Sequence, residues 1–120
     1  MAVDGQARRP SPRPRSSTHF HVDCGRALSI ETDPKIDLVG PTDVMVQVHA
    51  ASINPLDWKL LSGYGRGTPL ELQFPAILGR DALGEVVEVG NEVTTLRPGD
   101  RVLGFAAKTF AERMVAPETA

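Results

Sequence analysis

The clearest pattern in the chain is an alternation. Val44, Val46, Val48 and Ala50 are apolar, and Met45, Gln47 and His49 fall between them. A period of two marks a strand with one buried face. The strand runs into Ala51-Ser52-Ile53-Asn54-Pro55-Leu56-Asp57-Trp58-Lys59. Asn54 suits a helix N-cap, and Pro55 suits the first helical position, where its missing N–H is no loss. Asp57 falls in the first turn, at the positive end of the helix dipole. Gly63 can end the helix. The segment thus predicts a strand, a sharp corner and a short helix over 55–62. On these residues alone, the simplest role of Asn54, Pro55 and Asp57 is capping.

The same reading places other elements. Two short strands, Phe20 to Val22 and Ala27 to Ile30, turn at Cys24-Gly25. A polar stretch follows from Glu31 to Thr42. Residues 63–75 read as loop, because Gly63, Gly65, Gly67, Pro69 and Pro75 break regular structure. From Ala82 the pattern is β again: Leu83, Val86, Val87 and Val89 lie in a strand that ends at Gly90-Asn91. Gly84 inside it signals a bulge or close backbone packing. In Leu96-Arg97-Pro98-Gly99-Asp100, proline and glycine suit the central positions of a type II turn. Arg101 to Phe105 and Thr109 to Val115 complete the strands. Short strands between glycine and proline turns, with one short helix, predict a small β-barrel.

Composition narrows the classes. At 120 residues the chain forms one domain and one core. A net charge of −2 gives no support for a nucleic-acid or membrane-surface partner. The single cysteine, Cys24, excludes an internal disulfide framework and a multi-cysteine zinc site, and fits a reducing compartment. No apolar run is long enough to span a bilayer. Residues 1–18 stand apart: Arg8, Arg9, Arg13 and Arg15 are interspersed with Pro10, Pro12, Pro14 and serines. They read as a disordered basic leader ahead of a folded unit over 19–120. A transit peptide is the alternative, opposed by the prolines. The expected location is cytoplasmic, with an organellar address as the alternative.

Three segments in order carry a family resemblance. They are the Asn54 corner, Gly79-Arg80-Asp81-Ala82-Leu83-Gly84-Glu85-Val86-Val87-Glu88-Val89-Gly90, and Pro98-Gly99-Asp100-Arg101-Val102, with Phe110-Ala111-Glu112 following. Together they resemble the medium-chain dehydrogenase/reductase superfamily, in its zinc-independent quinone oxidoreductase and enoyl reductase branch. The resemblance spans residues 20–120. It implies a mainly β, GroES-like, partly open barrel as the first of two domains. Zinc-binding members carry a cysteine at the Asn54 corner and a glycine-histidine-glutamate where this chain has Gly79-Arg80-Asp81. Arginine has no lone pair to give a metal, so the resemblance implies no zinc. His19 and His21 lack an evident third ligand and read as surface histidines.

In the zinc-free branch, hydride passes from NADPH to a quinone or a conjugated carbonyl, and the protein orients the partners. By resemblance Asn54 and Asp57 are the catalytic candidates: Asn54 as an amide donor to a substrate oxygen, Asp57 holding the corner. Lys59, Tyr64, Arg80 and Asp81 are cleft candidates. Lys59 reads equally as a solvated lysine, and Tyr64 as a structural loop residue. Arg80 and Asp81 are expected to form a local ion pair, and Trp58 to pack. His49 reads as a surface histidine. Gly63-Tyr64-Gly65-Arg66-Gly67 is no phosphate cradle, because it follows a helix. No strand–Gly-x-Gly-x-x-Gly–helix unit occurs, so the dinucleotide-binding half is expected to be absent and NADPH not to bind this chain alone. Two functions stay open: the N-terminal catalytic-domain portion of such an oxidoreductase, inactive by itself, or a stand-alone GroES-like binding module without catalysis.

Overall fold

Alternation along the strand that starts at Val44 gives it an apolar face to bury. The computed structural model describes residues 2–4, 17–22, 28–33 and 39–120. In chain order these form β1 (Ala2–Asp4), β2 (Ser17–Val22), β3 (Leu28–Asp33), β4 (Asp43–Ser52), α1 (Pro55–Leu61), β5 (Ala76–Ile77), β6 (Asp81–Val89), β7 (Arg101–Phe105) and β8 (Arg113–Pro117). Five strands make one antiparallel sheet in the order β1-β7-β6-β4-β8, and three make a second in the order β3-β2-β5. Among the described residues neither sheet closes on itself, so the mainly β, partly open architecture expected is what forms.

The core lies on one face of the larger sheet. Val44 and Val46 of β4, Val86 of β6, Val102 of β7 and Met114 of β8 are buried there, covered by Leu96 and Ala106. On the opposite face Arg113, Gln47 and Glu85 stand across from one another on β8, β4 and β6. Arg113 Nε donates to Gln47 Oε1 at 3.3 Å.

Two register shifts interrupt the β4–β6 ladder, at Met45/Val46 and at Val48/Ala50. They let Val86 and Val87 both be buried, and they leave His49 exposed opposite no partner in the ladder. Gly84 sits beside the second shift. A Cβ there would lie 2.3 Å from the Gln47 carbonyl oxygen, so close backbone packing explains the glycine. The Arg97–Asp100 turn closes with Asp100 N–H donating to Arg97 O at 3.1 Å, and Gly99 takes φ +99°. That is the type II geometry anticipated for Pro98-Gly99.

Several features differ from expectation. The last strand starts at Arg113 rather than Thr109, because the 106–110 segment turns back onto residues 78–80. Ala106 N–H donates to Arg80 O at 2.7 Å, and Phe110 N–H to Leu78 O at 3.0 Å. The short β5 pairs with β2 and was not anticipated. The predicted hairpin is present as β2 and β3, longer than expected, and its turn at Cys24-Gly25 lies outside the described residues. Of the leader expected over 1–18, Ala2–Asp4 pairs with β7 and Ser17 and Thr18 open β2, while residues 5–16 lie outside the described residues.

Candidate functional site at the β4–α1 corner

Ser52 is the last residue of β4 and pairs directly with Asp81, the first residue of β6. Asp81 in turn pairs with Phe105, the last residue of β7. The ends of three strands therefore meet in one row, and α1 begins three residues beyond Ser52. This convergence positions the candidate residues.

Asn54 occupies the N-cap in extended conformation, as expected. Asn54 and Asp57 form the two halves of a capping box, the Asn54 side chain facing the Asp57 backbone N–H and the Asp57 side chain facing the Asn54 backbone N–H. Asp57 Oδ2 accepts the Asn54 backbone N–H at 2.8 Å. Asp57 Oδ1 accepts the Gly79 N–H at 3.1 Å. Asp57 is 4 % exposed; its bond to Gly79 is buried and its bond to Asn54 is partly buried. Asp57 thus ties the start of α1 to the segment entering β6, 22 residues away in sequence. The spacing of Asn54 and Asp57 (N-cap and third helical residue) carried the local half of that signal. Nothing in the sequence pointed to Gly79.

Gly79 itself has no room for a side chain. It takes φ +95°, and a Cβ would lie 2.2 Å from Thr109 Oγ1. The carbonyl of Gly79 accepts the Thr109 N–H at 3.4 Å. Asp57, Gly79 and the 106–110 segment therefore form one buried brace behind the corner.

The nitrogen end of the Asn54 amide turns outward. Its Nδ2 donates to Asp81 Oδ2 and lies 3.4 Å from Ser52 Oγ. Ser52 Oγ–H donates to the same Asp81 oxygen at 3.0 Å. The ion pair anticipated between Arg80 and Asp81 does not form: the Asp81 carboxylate is turned to Ser52 and Asn54 instead. Arg80 is held by its backbone, whose carbonyl accepts from Ala106.

The remaining candidates spread around this cluster. Lys59 lies exposed in the last turn of α1, with its ammonium 5.8 Å from the Trp58 ring centroid. Trp58 is 60 % exposed, which overturns its reading as a packing residue. The phase of the helix turns Leu60 inward in its place. Tyr64 is also exposed and borders a shallow groove with Leu60, Arg66, Leu72 and Phe74. The structure does not bring Tyr64 into hydrogen-bond contact with Asn54 or Asp81. His19 and His21 lie on β2, with side chains outside the described residues. Among the described residues no three His, Cys, Asp or Glu side chains come together as a metal site.

Sequence reasoning missed the apolar floor of the site. Ala50, Leu83 and Leu103 stand opposite one another on β4, β6 and β7, one step along from the Ser52–Asp81–Phe105 row. Leu103 and Phe105 are each 58 % exposed. Their parity within β7, with Val102 turned to the core, was the available signal. The result is an apolar surface edged by a Ser–Asp–Asn cluster.

Residues 40–119 match the family model of the alcohol dehydrogenase GroES-like domain. The chain belongs to that family. Among curated relatives it is 44 % identical over 73 residues to a Danio rerio protein named NAD(P)H oxidoreductase RTN4IP1, mitochondrial, covering 52 % of this chain and 19 % of the relative. It is 43 % identical over 74 residues to the trans-enoyl reductase tndF of Aspergillus flavipes, covering 59 % of this chain and 20 % of the relative. The solved quinone oxidoreductase of Coxiella burnetii superposes with a TM-score of 0.74 at 30 % identity, over 85 % of this chain and 35 % of that structure. The chain thus spans about a fifth of the length of these curated relatives. Among the described residues no helix is long and apolar enough to cross a membrane.

Proposed function

We propose that this GroES-like chain is the catalytic-domain portion of an NAD(P)H-dependent, zinc-independent oxidoreductase that passes hydride to a quinone or a conjugated carbonyl. The observation that carries the reading is the outward-turned Asn54 amide at the edge of the Ala50, Leu83, Leu103, Phe105 surface. A flat, mostly apolar acceptor matches that surface, and its oxygen needs a donor at the edge. The relatives named above, an NAD(P)H oxidoreductase, a trans-enoyl reductase and a quinone oxidoreductase, support the same class.

The side chains present do not fit zinc. Asn54 donates through its nitrogen, Arg80 offers no lone pair, and the only cysteine is Cys24. The nicotinamide cofactor supplies the hydride when bound. This chain offers no glycine turn between strand and helix for its pyrophosphate, so it forms one wall of the cleft and a dinucleotide-binding half forms the other. As hydride arrives, charge grows on the acceptor oxygen, and a fixed N–H at that point stabilises it. Asp57 acts through the backbone, holding the corner in place. Lys59 and Tyr64 border the approach to it. The cytoplasm is the location this reading favours, and the mitochondrial name of the zebrafish relative supports the organellar alternative.

The test is titration of the chain with NADPH, followed by nicotinamide fluorescence. No saturable binding is expected at physiological concentration, and tight binding would overturn the division of labour. In a form that carries a dinucleotide-binding half, NADPH oxidation with a quinone is expected, and Asn54→Ala should lower kcat by about 10²-fold. Normal turnover in that variant would remove Asn54 from the chemistry.

A further inference from the structure

An amide side chain presents different chemistry from its two ends. The NH2 end only donates and the oxygen only accepts, and rotation by half a turn exchanges them. A carboxylate accepts only. Asp81 Oδ2 therefore selects the NH2 end of Asn54, and no flipped arrangement preserves that hydrogen bond.

Ser52 adds to the selection. Its hydroxyl proton is committed to Asp81 at 3.0 Å, so its lone pairs are what face Asn54 Nδ2 at 3.4 Å. The nitrogen end of the amide thus meets two acceptors. The frame holding them is rigid, because Ser52 and Asp81 are directly paired across β4 and β6. The two contacts differ in strength. The bond to Asp81 is charge-assisted, while 3.4 Å is long for a neutral N–H···O bond. A ligand oxygen arriving at the edge replaces Ser52 as acceptor and leaves Asp81 in place.

We infer that Asp81 and Ser52 are a positioning pair that fixes the flip of the Asn54 amide. The corner then takes a ligand through a hydrogen-bond-accepting oxygen, a carbonyl or quinone oxygen, and disfavours a ligand that offers only a donor. This rests on the reading of Asn54 as facing the acceptor. The lock itself is a property of the chain without ligand and is tested without one.

The chain has two asparagines, Asn54 and the exposed turn residue Asn91, and the second is an internal control. In a ¹⁵N-labelled sample of the full chain, the Asn54 side-chain NH2 pair is assigned by its loss in Asn54→Asp. Its hydrogen exchange should be about tenfold or more slower than that of Asn91, with one proton shifted downfield. Asp81→Ala should bring Asn54 to the Asn91 rate, while Ser52→Ala should leave most of the protection. Equal rates for the two asparagines in the unmodified chain would overturn the lock. So would full protection surviving in Asp81→Ala. If Asp81→Ala does not fold, the comparison within the unmodified chain decides. In a form with a dinucleotide-binding half, Asp81→Ala should lower kcat about tenfold or more with the fold retained. A protected Asn54 with normal turnover in Asn54→Ala would keep the lock and refute the substrate reading, so the two fail separately.

Discussion

Replacing Asp57 with alanine removes the acceptor of two amides at once: Asn54 N–H at 2.8 Å and Gly79 N–H at 3.1 Å. The residue is 4 % exposed, so water does not take over both sites without opening the corner. A hydrogen bond to a charged group contributes about 1.5–3 kcal/mol net, and a buried donor left without a partner costs about 1–3 kcal/mol. The two bonds share one carboxylate and do not simply add. We expect a loss of about 3–5 kcal/mol. Urea unfolding of the chain, followed by Trp58 fluorescence and circular dichroism, measures it. With a slope of about 2 kcal/mol per molar urea, the midpoint should fall by roughly 2 M. Asp57→Asn should lose about half as much, because its amide keeps one acceptor and turns a donor on the other N–H. Asn54→Ala is the contrast. Its amide nitrogen contacts only residues at the edge, and loss of an N-cap side chain typically costs about 1 kcal/mol, so about 1 kcal/mol is expected. Equal losses for Asp57→Ala and Asn54→Ala would refute the assignment of the brace to Asp57.

Further expectations follow from other contacts. Gly79→Ala forces a Cβ to 2.2 Å from Thr109 Oγ1 at φ +95°, and should cost about 3 kcal/mol or more, read as loss of soluble folded protein. Glu118 accepts from Thr95 Oγ and N–H at 2.5 Å and from Thr94 N–H at 2.9 Å. The Thr95 hydrogen bonds hold its carboxyl below the usual 4.5. A lowered folded-state value means the stabilisation is complete above the ordinary value and is lost as pH falls toward the lowered one. Melting temperatures measured from pH 7 downward should therefore converge for the unmodified chain and Glu118→Gln at acid pH and separate above about pH 5. Phe105→Ser should leave stability within about 0.5 kcal/mol and reduce binding of a hydrophobic dye, since the ring is mostly exposed. A large stability loss would mean that Phe105 is packed.

Local features were legible because they depend on neighbours in sequence. The alternation from Val44 to Ala50 announced β4, and Pro98-Gly99 announced its turn. Asn54-Pro55 marked the start of α1 to the residue. The start of β8 was misplaced because Thr109 and Phe110 have strand-like character yet bond to Gly79 and Leu78. That partner choice is tertiary. Trp58 was misread for a similar reason: a large aromatic is usually buried, but the helix phase that buries Asp57 and Leu60 turns Trp58 outward. Among the site residues, Asn54, Asp57 and Asp81 were legible as residues but not as contacts. Arg80 and Asp81 are adjacent and opposite in charge, which suggested a pair. The pairing of β4 with β6 overrode adjacency, because it sets Asp81 opposite Ser52, where the carboxylate accepts from Ser52 and Asn54.

The sequence by itself determined the mainly β composition of the fold, the position of the corner and the family's motifs, since each is written in periodicity or in turn-forming residues. Only the tertiary structure decided what the corner does with its polar groups. It gave the capping hydrogen bond to the Asp57 carboxylate, joined that carboxylate to Gly79, and set Ser52 and Asp81 opposite each other so that the Asn54 amide turns outward. The physical reason is reach. Periodicity fixes which way a side chain points within its own element, whereas a hydrogen bond across 22 or 27 residues depends on how separate strands are registered against one another.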